Sequence, residues 1–98
     1  MTIEIKKTAG GVLLELSGRL DTTTAPVLDK TIHEDISETT DLILDLQGLE
    51  YISSAGLRVL LSAQKRMRKS GSMKLKNVCE EVMDVLEMTG FADILEFV

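Results

Sequence analysis

Ninety-eight residues, 44% hydrophobic and 28% charged, suit one soluble domain spanning 1–98 that can bury a core without a metal or disulfide staple. A formal charge of −5 argues against general nucleic-acid binding, which needs clustered cations on phosphates, and no apolar run approaches the roughly 20 residues that cross a bilayer without charges. Cys79 and His33 are single representatives of their types, which excludes an internal disulfide and every multi-cysteine zinc pattern; no metal or cofactor is expected.

The first residues, Met1-Thr-Ile-Glu-Ile-Lys-Lys7, alternate apolar and polar and lack the basic start and apolar centre of a secretory signal, so a cytoplasmic address is expected. Ile3 and Ile5 share one face of a strand. Gly10-Gly11 then supplies a turn before a second strand, Val12 to Ser17, giving a predicted hairpin. Threonines 22 to 24 offer a cap, and Pro26 suits the first turn of a helix starting near Ala25, where its missing N–H costs nothing. Leu28, Ile32 and Ile36 set that helix's apolar stripe, with Asp29, Lys30, His33 and Glu34 outward and an end predicted between Ser37 and Thr40.

Asp41 to Leu46 is nearly continuous in apolar residues and reads as a central strand covered on both faces, ending at Gly48. From Ser54 a second helix carries Leu57, Leu60, Leu61 and Met67 at helical spacing. Lys65, Arg66, Arg68 and Lys69 complement its C-terminal dipole, and Ser70-Gly71 closes it. Met73 to Asn77 alternates as a short strand. Asn77 with Glu80 predicts a capping box for a third helix with Val82, Val85 and Leu86 buried, stopped by Gly90. Ile94 to Val98 is a candidate edge strand. This order predicts an α/β sandwich: a mixed four- to five-stranded sheet with helices packed on it.

Candidate chemistry is sparse. Ser53-Ser54-Ala55-Gly56 lacks the leading glycine of a hydrolase elbow, and the one imidazole, His33, falls on the polar face of the first helix. No phosphate-cradling glycine loop precedes a helix. Asp21, Asp45 and Glu50 read as surface or capping carboxylates. A serine at a helix start is most often a cap, worth about 0.5–2 kcal/mol relative to alanine, and that role falls to Ser54. Gly56, one turn in, costs about 1 kcal/mol of helix propensity; close approach of a partner or internal packing could each account for it.

Taken together, Leu42-Ile-Leu-Asp-Leu46, Gly48-Leu-Glu-Tyr-Ile52 and Ser53-Ser-Ala-Gly-Leu-Arg-Val-Leu-Leu61 closely resemble the signature of STAS domains, the anti-sigma-factor antagonist family. Gly18-Arg-Leu-Asp21 and Met88-Thr-Gly-Phe91 with Ile94 fit the same family, so the resemblance spans essentially the whole chain. It implies a bacterial regulator of transcription, not an enzyme. The unphosphorylated antagonist binds an anti-sigma factor that is itself a serine kinase and so frees a sigma factor; a PP2C-type phosphatase resets it. Aligned on Gly56-Leu57, the resemblance implies that the phosphorylated serine is Ser54, with Ser53 the second choice. The sequence departs from well-studied members at Ser53, where they carry aspartate, and at Ala55, where they carry serine or threonine.

A docking surface is expected from Asp21, Thr22, Thr23, Thr24, Ser53, Ser54, Gly56 and Arg58, with no nucleic acid and no membrane insertion. The alternative implied by the departures is a STAS scaffold or small-ligand carrier without a phosphoswitch, for instance a subunit associated with a lipid transporter.

Overall fold

The computed structural model describes residues 1–35, 41–69 and 71–98. Two strands, β1 (Thr2–Thr8) and β2 (Gly11–Leu20), form the predicted hairpin, and helix α1 (Ala25–Lys30) begins where Pro26 allows and continues as a π-helical segment over Thr31–Asp35. Leu28 and Ile32 of its stripe are buried, while Ile36 and the predicted helix end lie outside the described residues. Strand β3 (Asp41–Ile52), helix α2 (Ser54–Arg68), strand β4 (Ser72–Lys76) and helix α3 (Glu80–Met88) complete the order, followed by a single 3-10 turn at Phe91–Asp93.

The sheet runs β1-β2-β3-β4, with β1 antiparallel to β2 and the two later pairings parallel. Both parallel connections step in the same direction across the sheet. Crossovers of one hand therefore lay α1 and α2 on the same face, where they touch each other. The core lies between this helical layer and the side chains of Leu14, Leu16, Leu42, Leu44, Leu46, Met73 and Leu75.

Three expectations are corrected. The apolar run in β3 is not covered on both faces: Leu42, Leu44 and Leu46 are buried under the helices, while Ile43 is only half-buried beside Leu13 on an open face. Gly48 does not end the strand either. It sits at a register shift opposite Ser17, where an added Cβ would come 2.7 Å from Ser17 Cβ, and β3 runs on to Ile52. Asn77 is no helix cap. Its backbone is left-handed at φ 57, its side-chain amide donates to Asp45 Oδ1 at 3.1 Å, and α3 starts after Cys79, which contributes no side-chain cap bond.

Gly90, at φ 81, stops α3 as expected, because a left-handed residue after a helix strongly favours glycine. The C-terminal segment makes one parallel bridge between Phe97 and Leu75, through Leu75 N–H to Glu96 O and Val98 N–H to Leu75 O. That is less than a fifth strand, but it caps the β4 edge.

Candidate functional site

The strand ends of β2 and β3 and the start of α2 are tied by one hydrogen bond, Ser53 N–H to Leu20 O at 2.9 Å. Ser53 has extended backbone and accepts from Gly56 N–H through its hydroxyl at 3.4 Å, so Ser53, not Ser54, is the helix cap. The reason is one residue of register: the strand must turn at Ser53 to bring Leu57 and Leu60 onto the core. Ser54 is instead the first helical residue. Its hydroxyl is exposed and bonds to none of the described residues.

With Gly56 N–H taken by the cap and Leu57 N–H by Ser53 O at 2.9 Å, the amides of Ser54 and Ala55 are the open donors of the first turn among the described residues. An anion on Ser54 would meet those donors and the positive end of the helix dipole. Arg58, exposed one turn along on the same face, is the nearest cation in sequence for such a group.

Gly56 does not belong to that surface. It is buried, and a Cβ there would lie 2.7 Å from Leu20 Cγ, 2.9 Å from Ile52 Cγ1 and 3.0 Å from Leu20 O. The missing side chain lets α2 close onto the ends of β2 and β3. Of the two explanations for this glycine, internal packing holds.

The loop after β2 is a tightly self-bonded turn. Asp21 Oδ1 accepts from Thr23 N–H at 3.0 Å, Thr24 N–H at 3.1 Å and the Thr23 hydroxyl at 2.8 Å. The Thr24 hydroxyl donates to Arg19 O at 2.7 Å and accepts from Asp21 N–H at 2.8 Å. These donors, the Thr23 hydroxyl first and the Thr24 amide next, hold the Asp21 carboxyl below its usual range. Thr24 precedes α1 as its cap residue without a side-chain cap bond, because that hydroxyl is spent on the turn. Thr22 and Thr23 stay exposed at the tip.

One rung before Leu20 and Ile52, the guanidinium of Arg19 stacks 4.0 Å over the Tyr51 ring, and both side chains are exposed. The pair was not legible in the sequence. Arg19 and Tyr51 become neighbours only after the two irregularities in the β2–β3 register bring them together.

The sequence matches the STAS domain over residues 2–98. The chain belongs to the STAS domain family. It is 28% identical over 97 residues to the anti-sigma-B factor antagonist of Bacillus subtilis (strain 168), covering 98% of this chain and 89% of that one. It is 30% identical over 98 residues to the anti-sigma F factor antagonist of Paenibacillus polymyxa, covering 97% of this chain and 84% of the relative. The crystal structure of an anti-sigma factor antagonist from Mycobacterium paratuberculosis superposes with a TM-score of 0.88 at 22% identity, over 98% of this chain and 83% of that one.

Elsewhere on this STAS domain the other candidates disperse. Asp45 is a buried carboxylate on the sheet face away from the helices, accepting from Gln47 N–H at 3.0 Å and from Asn77, and Glu50 is an exposed residue of β3; they do not gather at α2 with Asp21. Among the described residues no three His, Cys, Asp or Glu side chains are placed to hold a metal. His33 is exposed, with Nδ1 2.8 Å from Asp29 O, and Cys79 is half-buried with Sγ donating to Leu49 O at 3.4 Å. No helix among the described residues is long and apolar enough to cross a membrane.

Proposed function

We propose that residues 1–98 form one STAS domain acting as an anti-sigma-factor antagonist, in which Ser54 is the phosphorylated residue. In this reading the unphosphorylated form binds an anti-sigma factor that is also a serine kinase, in the bacterial cytoplasm, and frees a sigma factor. A PP2C-type phosphatase resets it, and the domain itself catalyses nothing. The observation that carries the choice of residue is the division of labour between the two serines: Ser53 is held as the cap, and Ser54 offers a free hydroxyl on the first turn. Around it, Asp21 to Thr24 and Arg58 make the docking surface, with Gly56 beneath it as packing.

A phosphate on Ser54 adds about −1.5 to −2 charges at neutral pH. The open amides and dipole return about 0.3–2 kcal/mol, so the fold tolerates it. A docked partner does not: leaving that charge buried and unmatched costs about 2–5 kcal/mol, or roughly thirty- to several-thousand-fold in affinity. The switch acts at the interface, not on the fold.

The test is incubation with a GHKL-type serine kinase and ATP, followed by mass analysis and binding. Wild type should gain one phosphate, lost in Ser54→Ala and retained in Ser53→Ala. Ser54→Asp should bind the kinase weakly at nearly unchanged melting temperature, whereas Ser54→Ala should bind well. Equal binding by Ser54→Asp and Ser54→Ala would contradict the proposal. The departures at Ser53 and Ala55 favour a second reading, a STAS scaffold or small-ligand carrier; absence of any phosphate on Ser54 together with undiminished partner binding by Ser54→Asp would select it.

A further inference from the structure

The two sides of the sheet are unequal. Strand β4 has Glu96 to Val98 along its outer side, whereas β1 pairs only with β2 and is, among the described residues, an uncovered edge of seven residues without proline or register shift. Such an edge is a template for another strand.

Its backbone phase follows from the turn. Ala9-Gly10 is a two-residue turn closed by the pair Thr8 and Gly11, so the hydrogen-bonded rungs are Thr8–Gly11, Lys6–Leu13 and Glu4–Glu15. The intervening residues Ile3, Ile5 and Lys7 then present their N–H and C=O groups outward. On the helical side Ile5, opposite Leu14, remains 43% exposed. On the open face Glu4 lies directly opposite Glu15, and the cation nearby, Lys6, uses one of its three N–H donors on Glu15 at 2.8 Å and stays largely exposed. Like charges facing each other across a rung are unfavourable, and no ion pair to Glu4 forms among the described residues.

We infer that β1 is the docking edge for a second copy of this chain, paired antiparallel about a two-fold axis through Ile5. Only this symmetric register satisfies every group at once. The outward backbone groups of Ile5 meet those of the second copy's Ile5, and Ile3 meets Lys7. Glu4 falls opposite the second copy's Lys6 on the rungs without hydrogen bonds, where side chains approach more closely. Moving the axis to Glu4 or to Lys6 sets like charges against each other, and moving it to Ile3 or Lys7 shortens the paired length and leaves Glu4 opposite Thr2 or nothing. The result is one eight-stranded sheet with both helical layers on the same side. The −5 charge on each copy opposes association, so the dimer is weak and reversible.

Sedimentation equilibrium at neutral pH, from micromolar to millimolar protein, tests this through paired charge reversals. Wild type should dimerise, and Glu4→Lys and Lys6→Glu should each weaken self-association by about tenfold or more. An equimolar mixture of the two variants should recover a mixed dimer, because each lysine then meets a glutamate; thermal melts of each variant verify that the monomers are folded. A wild type that stays monomeric throughout, single variants that associate like wild type, or a mixture no stronger than its components would overturn the inference.

Discussion

Replacing Gly56 by alanine sets two effects of opposite sign against each other. In an exposed helix the change should stabilise by about 1 kcal/mol, because glycine is the poorer helix former. Here the new methyl would meet Leu20 Cγ at 2.7 Å, Ile52 Cγ1 at 2.9 Å and Leu20 O at 3.0 Å. Leu20 has no exposed surface and Ile52 only 4%, so neither side chain has solvent to move into. The carbonyl cannot yield alone either, since it accepts Ser53 N–H at 2.9 Å and thereby fixes the start of α2. Overpacking of this kind costs about 1–3 kcal/mol, towards the upper end when backbone must move. The expected net loss is about 1–2 kcal/mol, a fall in melting temperature of roughly 4–16 °C for a domain of this size. Thermal melts followed by circular dichroism, with urea titrations for the free energy, would measure it. A melting temperature equal to or above wild type would refute the packing argument and return Gly56 to the candidate docking surface.

Ser53→Ala should lower stability by about 0.5–1 kcal/mol in urea denaturation, the low end for a lost cap because its bond is long at 3.4 Å, while Ser54→Ala should cost less. The Asp21 carboxyl should titrate below an ordinary aspartate near pH 3.9 in a carbon-13 NMR titration, and Thr23→Val should move it back towards that value. The sign follows from the lowered folded value: the stability Asp21 contributes is fully present above its unfolded pKa and is lost as pH falls through the folded one. An ordinary Asp21 titration would show that the turn does not hold the charge. Gln64 is fully buried on α2, and neither polar atom of its amide finds a partner among the described residues; Gln64→Met should therefore stabilise by about 1 kcal/mol, and a loss of stability would show that the amide is satisfied.

Local signals read well where one residue type forces one backbone choice. Pro26 located the start of α1, Gly90 the end of α3, and the alternation of Met73 to Lys76 a strand with one wet side. They failed where two chain segments decide together. The capping box at Asn77 and Glu80 was a correct local pattern, but Asp45, thirty-two residues earlier, takes the Asn77 amide instead. Gly48 looked like a strand end because a lone glycine gives no hint that a neighbouring strand will bulge opposite it. The candidate site divides the same way: a hydroxyl-rich start to α2 was visible, and which serine caps and which stays free was not.

The sequence by itself determined the order of strands and helices, the family and the neighbourhood of the proposed switch, because periodicity, turn residues and the Ser53 to Leu61 stretch are properties of contiguous chain. Tertiary structure decided that Ser53 is the cap, that Gly56 is packing, that Arg19 stacks on Tyr51 and that β1 is an open edge among the described residues. The first three depend on how β2, β3 and α2 fit against one another, and the last on the strand order of the sheet. Close packing and strand register tie together residues far apart in the chain, and no local pattern carries that information.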